Sequence, residues 1–366
     1  MKQMKILFDA RYIRTDFHDG ISRYSFEIAA ALARLTSVTF LICNEKQRQF
    51  LPENSKAILI HEPTSFKEPF TAFILNKHRP DAVYTPMQTM GTFGRCYKSV
   101  LTIHDLIYFR HLLPPKNLPL AVRVGWRIYH LSYWPQRLLL RGSDVVCVVS
   151  NTTAKDVRRA KMVPKNKPLS VVYNAPQQFS TYPVKHRGVV ENIVYMGSFM
   201  PYKNVETLIK AMQWLPGRKL HLLSRVSPDR RSQLEALIPA SVAKTGGQVI
   251  FYNGVSDSEY EQVLANNAVL VTASLDEGYG IPVAEAMAMG VPVVASDIPV
   301  FHEVGGQGII YCPAKDAQGF AMAIKSLDTP DKRQELTTEA KKHISRFNWD
   351  ESARVLLGAI EKSLVK

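Results

Sequence analysis

The chain has 366 residues, which at roughly 150 residues per domain is enough for two domains and excludes a single small binding module. Hydrophobic residues make up 46% of the sequence and aromatic residues 10%, which excludes a disordered protein and predicts buried cores. The formal net charge of +14 lies in residues 1–180, which hold 26 Lys and Arg against 12 Asp and Glu, while residues 181–366 are neutral.

The spacing of the cysteines and the length of the apolar runs indicate the cellular compartment of the protein. The four cysteines lie far apart with no C-x-x-C pair, which argues against a disulfide framework or a zinc site and fits a reducing compartment. The N-terminal apolar run is too short for a signal peptide, and no stretch reaches the roughly 18 apolar residues of a membrane span. We therefore expect a cytoplasmic protein, with attachment to the inner face of the cytoplasmic membrane as a second expectation.

The charge distribution favours an anionic partner for the first half of the chain. Phospholipid headgroups, a polyphosphate-linked acceptor and nucleic acid all fit a one-sided positive field. A basic surface that only aids solubility is the alternative. The oligomeric state cannot be read from the sequence.

The predicted elements alternate between short apolar strands and helical patterns. In the first half, strands are predicted at 5–9, 38–43, 57–60, 82–84, 99–103 and 144–149, with a helix at 22–35. After a polar, proline-containing stretch at 175–190, strands are predicted at 192–197, 219–223, 249–251, 268–272, 291–295 and 309–311. Helices are predicted between them at 205–214, 229–238, 257–266, 282–289 and 316–327.

This alternation predicts an α/β protein with two doubly wound, Rossmann-like domains in tandem. We place the first domain at 1–180 and the second at 190–347, and expect a final helix at 348–366 to pack back on the first domain. Such domains bind ligands at the carboxyl ends of their strands, and a cleft between two of them suits a two-substrate enzyme.

A glycine-rich turn and the helix after it carry the most informative pattern. Pro282 marks the first helical turn and Gly290 ends the helix. A helix N-terminus has partial positive charge, so we expect a phosphate at the amides of Gly278, Tyr279, Gly280 and Ile281. Glu277 and Glu285 flank this place, and carboxylates accept hydrogen bonds from sugar hydroxyls. The alternative is a capping Glu277, a surface Glu285 and glycines that only make a turn.

The segment Glu-Gly-Tyr-Gly-Ile-Pro-x-x-Glu of residues 277–285 resembles the signature of the retaining nucleotide-sugar glycosyltransferases of family 4, which have the GT-B fold of two facing Rossmann-like domains. The resemblance covers essentially the whole chain. Residues 20–24 resemble the loop that closes over the donor diphosphate, and 102–106 the histidine segment of the cleft. Residues 195–204 resemble the phosphate-binding loop of the second domain, while 149–152, 172–175 and 292–297 complete the pattern.

The resemblance implies a role for each of these residues. Glu285 would hold the donor ribose and Glu277 the transferred sugar, while Lys203 and the amides at 278–281 neutralise the diphosphate. Gly20 and Gly197 would belong to the loops around that diphosphate. His104 would orient the sugar or the acceptor, or it is only a histidine of the cleft wall. Since the chain has no D-x-D motif, we expect no metal cofactor.

One position departs from the family pattern. Members commonly have an arginine after the glycine of the 195–204 loop, and this chain has Ser198 there. Two cations at a diphosphate leaving group stabilise the transition state, so another residue would have to supply the second. Arg225 is the nearest candidate, and Arg23 or Arg11 of the first domain are the alternatives.

The reaction implied by the resemblance keeps the configuration at the anomeric carbon. A double displacement needs a carboxylate nucleophile, for which Asp9, Asp19 and Asp105 are the candidates of the first domain, although none is convincing. We favour a front-face route, in which the leaving phosphate oxygen helps to take the acceptor's proton.

A basic, aromatic and apolar segment at 114–141 is the candidate surface for the acceptor or a membrane. Interfacial helices combine cations with aromatic residues in this way. The residues concerned are Arg123, Trp126, Arg127, His130 and Trp134. An ordinary amphipathic helix on the sheet is the alternative.

The sequence thus predicts transfer of a mannose- or glucose-type hexose from a nucleotide-diphosphate sugar to a glycan or glycolipid hydroxyl, in cell-envelope or surface polysaccharide synthesis. A sugar-nucleotide epimerase of GT-B shape is the alternative. A dinucleotide oxidoreductase would need a Gly-x-Gly-x-x-Gly turn, which the chain lacks. We expect no specific nucleic-acid binding, because no recognition motif is present.

Overall fold

The computed structural model describes residues 4–16, 19–114, 120–177, 179 and 181–365. Residues 115–119 of the predicted acceptor segment and residue 180, the predicted end of the first domain, lie outside this range. The chain divides into two compact units. The first comprises Met1–Asn174 and Phe347–Lys366, and the second comprises Ala175–Arg346.

The first unit is built on a parallel sheet. Its described strands are β1 (Ile6–Asp9), β2 (Val38–Ile42), β3 (Lys56–Leu59), β4 (Ala82–Thr85), β5 (Lys98–Ile103), β6 (Val145–Val148) and β7 (Leu169–Val171), in the spatial order β3-β2-β1-β4-β5-β6-β7. Its helices before residue 174 are α1 (Gly20–Leu35), α2 (Thr71–Asn76), α3 (Ile107–Arg110), α4 (Leu120–His130), α5 (Trp134–Arg141) and α6 (Asn151–Arg159). The central strands β1, β4 and β6 are buried along their whole length, as expected of a sheet covered on both faces.

The second unit repeats this plan on a sheet of its own. Its described strands are β8 (Asn192–Tyr195), β9 (Lys219–Leu222), β10 (Gln248–Phe251), β11 (Ala268–Thr272), β12 (Val293–Ser296) and β13 (Ile310–Cys312), in the order β10-β9-β8-β11-β12-β13. Its helices are α7 (Val205–Ala211), α8 (Pro228–Glu235), α9 (Ala240–Lys244), α10 (Asp257–Ala265), α11 (Ile281–Met289), α12 (Pro299–Gly305), α13 (Ala317–Ser326) and α14 (Pro330–Ile344).

The last helix, α15 (Trp349–Val365), belongs to the first unit. It packs on α1 and on the β5–β7 side of the sheet, with the Trp349 ring 5.9 Å from that of Tyr24. At the other end of α1, a nitrogen of Arg34 lies 2.5 Å from a carboxylate oxygen of Asp350. The chain therefore begins and ends in the same unit.

The strand order fixes where each sheet can bind a ligand. In the first sheet the chain runs outward from β1 to β3 and then returns to β4 beside β1. In the second sheet the same reversal places β11 beside β8. Loops at the carboxyl ends of two strands that flank such a reversal diverge to opposite faces and leave a crevice between them. In the second unit these are the loops at 196–204 and 273–280.

The two doubly wound α/β units are confirmed, and the boundaries of most elements differ from the predictions by one to three residues. The first helix begins at Gly20 rather than at residue 22, because Asp19 caps it by accepting a hydrogen bond from the Ser22 amide (2.9 Å). Strand β12 begins at Val293 rather than at residue 291, and Pro282 is the second residue of α11 rather than the first. The strand β7 and the helices α9, α12 and α14 were not predicted, and neither were α2, α3 and α6 of the first unit.

Candidate functional site

The loop after β8 is shaped by hydrogen bonds between its backbone and two neighbouring side chains. The hydroxyl of Tyr195 donates to the carbonyl of Ser198 (2.7 Å), and the amide of Gly197 donates to Oγ of Ser224 (3.0 Å). The loop ends in a 3-10 turn at Pro201–Lys203. These bonds fix the backbone of the predicted phosphate-binding loop before any ligand arrives.

Asn204 ties this loop to the neighbouring loop after β11. Its backbone is left-handed (φ 51°), and its side-chain amide donates to the carbonyls of Ala273 (3.0 Å) and Ala314 (2.6 Å). Close by, the amide of Leu275 donates to the carbonyl of Tyr202 (2.7 Å). The two loops at the β8–β11 reversal are thereby joined into one structure.

The joined loops bring two predicted site residues into contact. Nζ of Lys203 lies 2.6 Å from Oε1 of Glu277, and both side chains are largely buried. The hydroxyl of Ser274 donates to the same glutamate oxygen (2.8 Å). A cation and a carboxylate therefore lie together at the carboxyl ends of β8 and β11.

The glycine-rich turn leads directly from this ion pair into α11. Gly280 precedes the helix with φ 94°, and a Cβ atom there would lie 2.7 Å from the Phe301 ring. Both the backbone angle and the space require glycine. Glu285 lies inside α11 with only 3% of its surface exposed, so the alternative of a surface Glu285 is wrong. Tyr279 of the turn is buried as well.

In the first unit, His104 follows β5 and has a defined tautomer. Its Nε2 lies 2.8 Å from the carbonyl oxygen of Pro86, and its ring stands edge-on to Tyr24 at 4.9 Å. A carbonyl only accepts, so Nε2 carries the hydrogen. Burial lowers the pKa of His104, which keeps the ring neutral at neutral pH. A neutral ring that donates from Nε2 presents Nδ1 as an acceptor for a hydroxyl.

Two other residues of the first unit have structural partners. Gly20 is the first residue of α1, directly after the capping Asp19. The guanidinium of Arg11 is buried between two carboxylates, 2.7 Å from Asp9 and 2.8 Å from Glu68. Arg11 is therefore wrong as an alternative cation for a diphosphate, because its side chain is fully buried and its guanidinium is bonded to both carboxylates.

Two family models match consecutive parts of the chain. Residues 18–175 match the model described as Glycosyltransferase Family 4, and residues 185–343 match Glycosyl transferases group 1. The chain belongs to the family 4 glycosyltransferases. The motif-based prediction of the family is thus confirmed.

Similar proteins of known name agree with this assignment. The O-antigen chain mannosyltransferase RfbU of Salmonella typhimurium is 26% identical over 90% of this chain and 92% of its own length. The O-antigen chain mannosyltransferase B of Escherichia coli is 25% identical over 70% of this chain and 68% of its own. Sucrose-phosphate synthase from Thermosynechococcus elongatus superposes with a TM-score of 0.73 at 19% identity, over 99% of both chains. The glycosyltransferase fold, GT-B, is confirmed.

This family 4 glycosyltransferase places Ser198 and Arg225 at different parts of the sheet edge. Ser198 is exposed at the tip of the β8 loop. Arg225 follows β9, where its aliphatic stem lies against Gly254 in the turn after β10. Its guanidinium therefore belongs to the β9–β10 side of the edge.

A cation that the sequence reasoning missed lies closer to the β8 loop. Arg230 of α8 donates from Nε to the carbonyl of Phe199 (3.1 Å) and pairs with Glu206 at 2.5 Å. Arg230 therefore supports the loop through the Phe199 carbonyl while its guanidinium is also bonded to Glu206. A helical Arg with no motif around it gives no sequence signal of such a contact.

The predicted acceptor segment forms two consecutive helices of the glycosyltransferase's first unit. The ring centres of Trp126 and His130 lie 4.0 Å apart, and Tyr108 contacts both rings edge-on, so both are half-buried against the unit. Arg123 is half-buried too, while Arg127 and Trp134 are exposed. The outer faces of α4 and α5 also expose apolar side chains: Leu120, Val124, Ile128, Leu131 and Leu138.

Proposed function

We propose that the chain transfers a hexose from a nucleotide-diphosphate sugar to a hydroxyl of a glycan or glycolipid acceptor in the synthesis of a surface polysaccharide. A mannose-type sugar is favoured over a glucose-type one, because the first relatives are O-antigen mannosyltransferases. The observation that carries the proposal is the Lys203–Glu277 pair directly before the N-terminus of α11, with Glu285 buried inside that helix.

The ion pair suggests how the donor is held. An incoming diphosphate attracts Nζ of Lys203, and the N-terminus of α11 adds its partial positive charge. Glu277, released from the lysine but still bonded to Ser274, then accepts hydrogen bonds from the transferred sugar. Glu285 holds the ribose. Cations and amides thus neutralise the leaving group, so we propose that no metal is required.

We propose retention of configuration by the front-face route. Asp9 is buried in its ion pair with Arg11, Asp19 caps α1, and Asp105 accepts the backbone amide at the start of α3 (2.9 Å). Each candidate nucleophile of the first unit already has a structural role. His104, with Nδ1 as an acceptor, would orient a hydroxyl of the sugar or the acceptor.

We also propose that the first unit works at the cytoplasmic membrane surface, through α4 and α5. From Leu106 to Ser143 the sequence has six Lys and Arg residues and no Asp or Glu. Exposed apolar side chains next to cations are typical of helices that lie in the interface of an anionic bilayer. In the part of the chain that the structure describes, no helix is long and apolar enough to cross a membrane.

Calorimetric titration with GDP-, UDP- and ADP-sugars tests the donor site. One of these nucleotide sugars should bind, and Glu285→Gln should weaken its binding by about 10–100-fold through loss of charge-assisted hydrogen bonds. Glu335→Gln, which changes an exposed glutamate of α14, should leave the affinity unchanged. If none of the nucleotide sugars gives a binding signal, or if the Glu285 variant binds the donor with wild-type affinity, the proposed donor site is contradicted.

The reaction itself is tested by product analysis in the presence of EDTA. Transfer to an acceptor, or slow hydrolysis of the donor, should persist at full rate without divalent cations, and the anomeric configuration should be kept. Loss of activity in EDTA contradicts the metal-free site. Release of an epimerised sugar nucleotide without any acceptor would favour the epimerase alternative.

A further inference from the structure

A group of phenylalanine side chains outside α4 and α5 is exposed on the first unit. Phe66 is 84% exposed, Phe70 59% and Phe73 47%, and Phe93 of the next loop is 77% exposed. The rings of Phe73 and Phe93 contact each other at 6.2 Å. Phe66 lies in the turn before a short 3-10 helix that ends at Phe70, and Phe73 lies in α2 directly after it. We call these four residues the phenylalanine patch.

The backbone beneath the patch is rigid. Glu68, between Phe66 and Phe70, is buried in the ion pair with Arg11, and Thr71 donates to its carbonyl (2.8 Å). In the neighbouring loop, the side-chain amide of Asn76 donates to the carbonyl of Gly94 (2.8 Å). The inward side of each segment is therefore fixed, and the phenylalanines are held outward.

The surroundings of the patch are basic. Lys67, Lys77 and Arg79 are exposed in the same segment, against one exposed acidic residue in residues 60–80, Glu62. Nζ of Lys67 lies 6.0 Å from the centre of the Phe66 ring. The first unit as a whole has 29 Lys and Arg residues against 15 Asp and Glu, whereas the second unit is neutral. The occupant of the patch should therefore carry negative charge.

This charge argues against a second copy of the chain as the occupant. Two patches in contact would bring the basic surfaces of two first units together, and like charges repel. An anionic bilayer offers both required features, because headgroups attract the lysines and phenylalanine rings insert at the level of the acyl boundary.

The patch also continues toward the helices proposed above to meet the membrane. Within the loop that contains Phe93, Nε of Arg95 donates to the carbonyl of Gly142 at the end of α5 (2.9 Å). Thr92 of the same loop lies directly against Gly142. The loop therefore connects the end of α5 with the segment that bears Phe73.

We infer that the phenylalanine patch is a second membrane-insertion site, which seats the first unit on an anionic bilayer together with α4 and α5. The inference rests on the proposed peripheral membrane function and extends it to a surface that no sequence motif indicated. Two separated contacts, rather than one, fix the orientation of the first unit on the bilayer.

A fluorophore at Cys96 tests this surface directly. Cys96 is exposed in the same loop as Phe93, whereas Cys147 and Cys312 are buried and Cys43 can be replaced by Ser. The full chain, labelled there with an environment-sensitive dye, is mixed with vesicles of phosphatidylcholine and phosphatidylglycerol in equal parts. We expect a blue shift of the dye emission with these vesicles and none with phosphatidylcholine alone.

Variants separate the patch from the rest of the protein. Replacing all four phenylalanines by Ser should lower the vesicle partition coefficient by about 100-fold, and Phe66→Ser with Phe93→Ser by about 10-fold. The matched control is Met322→Ser, an exposed apolar residue of the second unit, which should bind vesicles like the wild type. Wild-type binding by the two-residue variant, or the absence of a blue shift, overturns the inference.

Donor titration on the same samples keeps the two proposals apart. The phenylalanine variants should bind the nucleotide sugar with wild-type affinity, which also shows that they are folded. Intact donor binding without any vesicle binding overturns only the membrane inference. Vesicle binding that depends on the patch, in a protein that binds no nucleotide sugar, overturns only the proposed transferase chemistry. A dimer that dissociates on patch substitution assigns the patch to a second copy and overturns the inference.

Discussion

At the scale of single residues, the proposed donor site rests on Lys203, which pairs with Glu277 and is proposed to bind the donor diphosphate. Before a donor binds, Lys203 pairs with Glu277 at 2.6 Å. A diphosphate carries more negative charge than one carboxylate, so binding of the donor should draw the lysine away from the glutamate. In the proposed mechanism, the ion pair keeps both groups in place until the donor binds.

Replacing this lysine should affect turnover more than any other single change at the site. We expect Lys203→Ala to lower kcat by about 1000-fold, because charge on the leaving diphosphate would be stabilised only by the helix N-terminus. Lys210→Ala, which removes an exposed lysine of α7, is the control and should leave kcat unchanged. Steady-state kinetics with the donor found by titration measures the effect, and an unchanged kcat in the Lys203 variant would exclude this lysine from the mechanism.

The neighbouring Asn204 should act through position alone. Asn204→Gly keeps the left-handed backbone but loses the bonds to Ala273 and Ala314, so the lysine before it becomes less fixed. We expect kcat/KM for the donor to fall by about 10–100-fold, with the protein still folded. Asn204→Ala should lower kcat/KM further, because it loses the same two bonds and also places a strained alanine in the left-handed backbone conformation. Equal kinetics in the glycine variant and the wild type would show that the amide bonds do not position Lys203.

The sequence suggested candidate site residues in the second unit but not which of them are in contact. Lys203 and Glu277 are 74 positions apart, and their contact follows from the β8–β11 reversal and the Asn204 bonds. The burial of Glu285 could not be predicted either, because the rest of the α11 sequence is apolar on all sides and does not show which face is exposed. Arg230 was missed because its partners are a backbone carbonyl and a glutamate of another helix.

At the scale of elements, strands were predictable and several helices were not. The buried strands are short, continuous apolar runs bounded by polar or glycine residues, which is a signal in a single sequence. Helix α14 was missed because it is mostly polar and buries few side chains, and β7 because it has three half-buried residues. The contacts that make these elements stable are tertiary and leave little local pattern.

The turn before α11 offers a sharp test of an element boundary. Gly280→Ala forces a left-handed alanine and places its methyl group against Phe301, so we expect the second unit to lose about 1–3 kcal/mol of unfolding free energy and to bind the donor more weakly. Gly358→Ala is the matched control, because Gly358 lies inside α15 with open space around it. That change should raise the stability of α15 by about 0.5–1 kcal/mol. Thermal unfolding of both variants measures the contrast, and similar behaviour of the two would contradict the argument.

At the scale of the whole molecule, the two units differ in charge although they share one architecture. The excess of positive charge is confined to the first unit, and the second unit is neutral. This division can be predicted from the sequence, because charged residues can be counted separately in each half of the chain. The sequence does not predict that some basic groups of the first unit cap helix ends, as Lys167 does by donating to the carbonyls of Leu140 and Arg141 (2.9 and 3.1 Å). Some of the positive charge of the first unit therefore stabilises its helices.

Histidines with lowered pKa values in both units should make the protein less stable in mild acid. Burial lowers the pKa of His104, His130, His186, His221 and His343. The unfolded chain binds protons on these residues below about pH 6.5, whereas the folded chain does not until a lower pH. The contribution of these histidines to the unfolding free energy should therefore be complete above about pH 6.5. It should decrease as the pH falls toward their pKa values in the folded protein.

His221 allows this pH dependence to be assigned to one residue. Burial, and next the charge of Lys219, lower its pKa to about 4, while Nε2 donates to Asn192 (2.9 Å) and Nδ1 accepts from Tyr252 (2.8 Å). When the pH is lowered from 7.5 to 5, protonation of this one histidine in the unfolded chain should lower the unfolding free energy by about 2 kcal/mol. We expect His221→Gln to be less stable than the wild type at pH 7.5, and its second unit to lose about 2 kcal/mol less on going to pH 5. Urea unfolding at the two pH values measures both quantities, and an identical loss in variant and wild type would mean that His221 titrates normally in the folded protein.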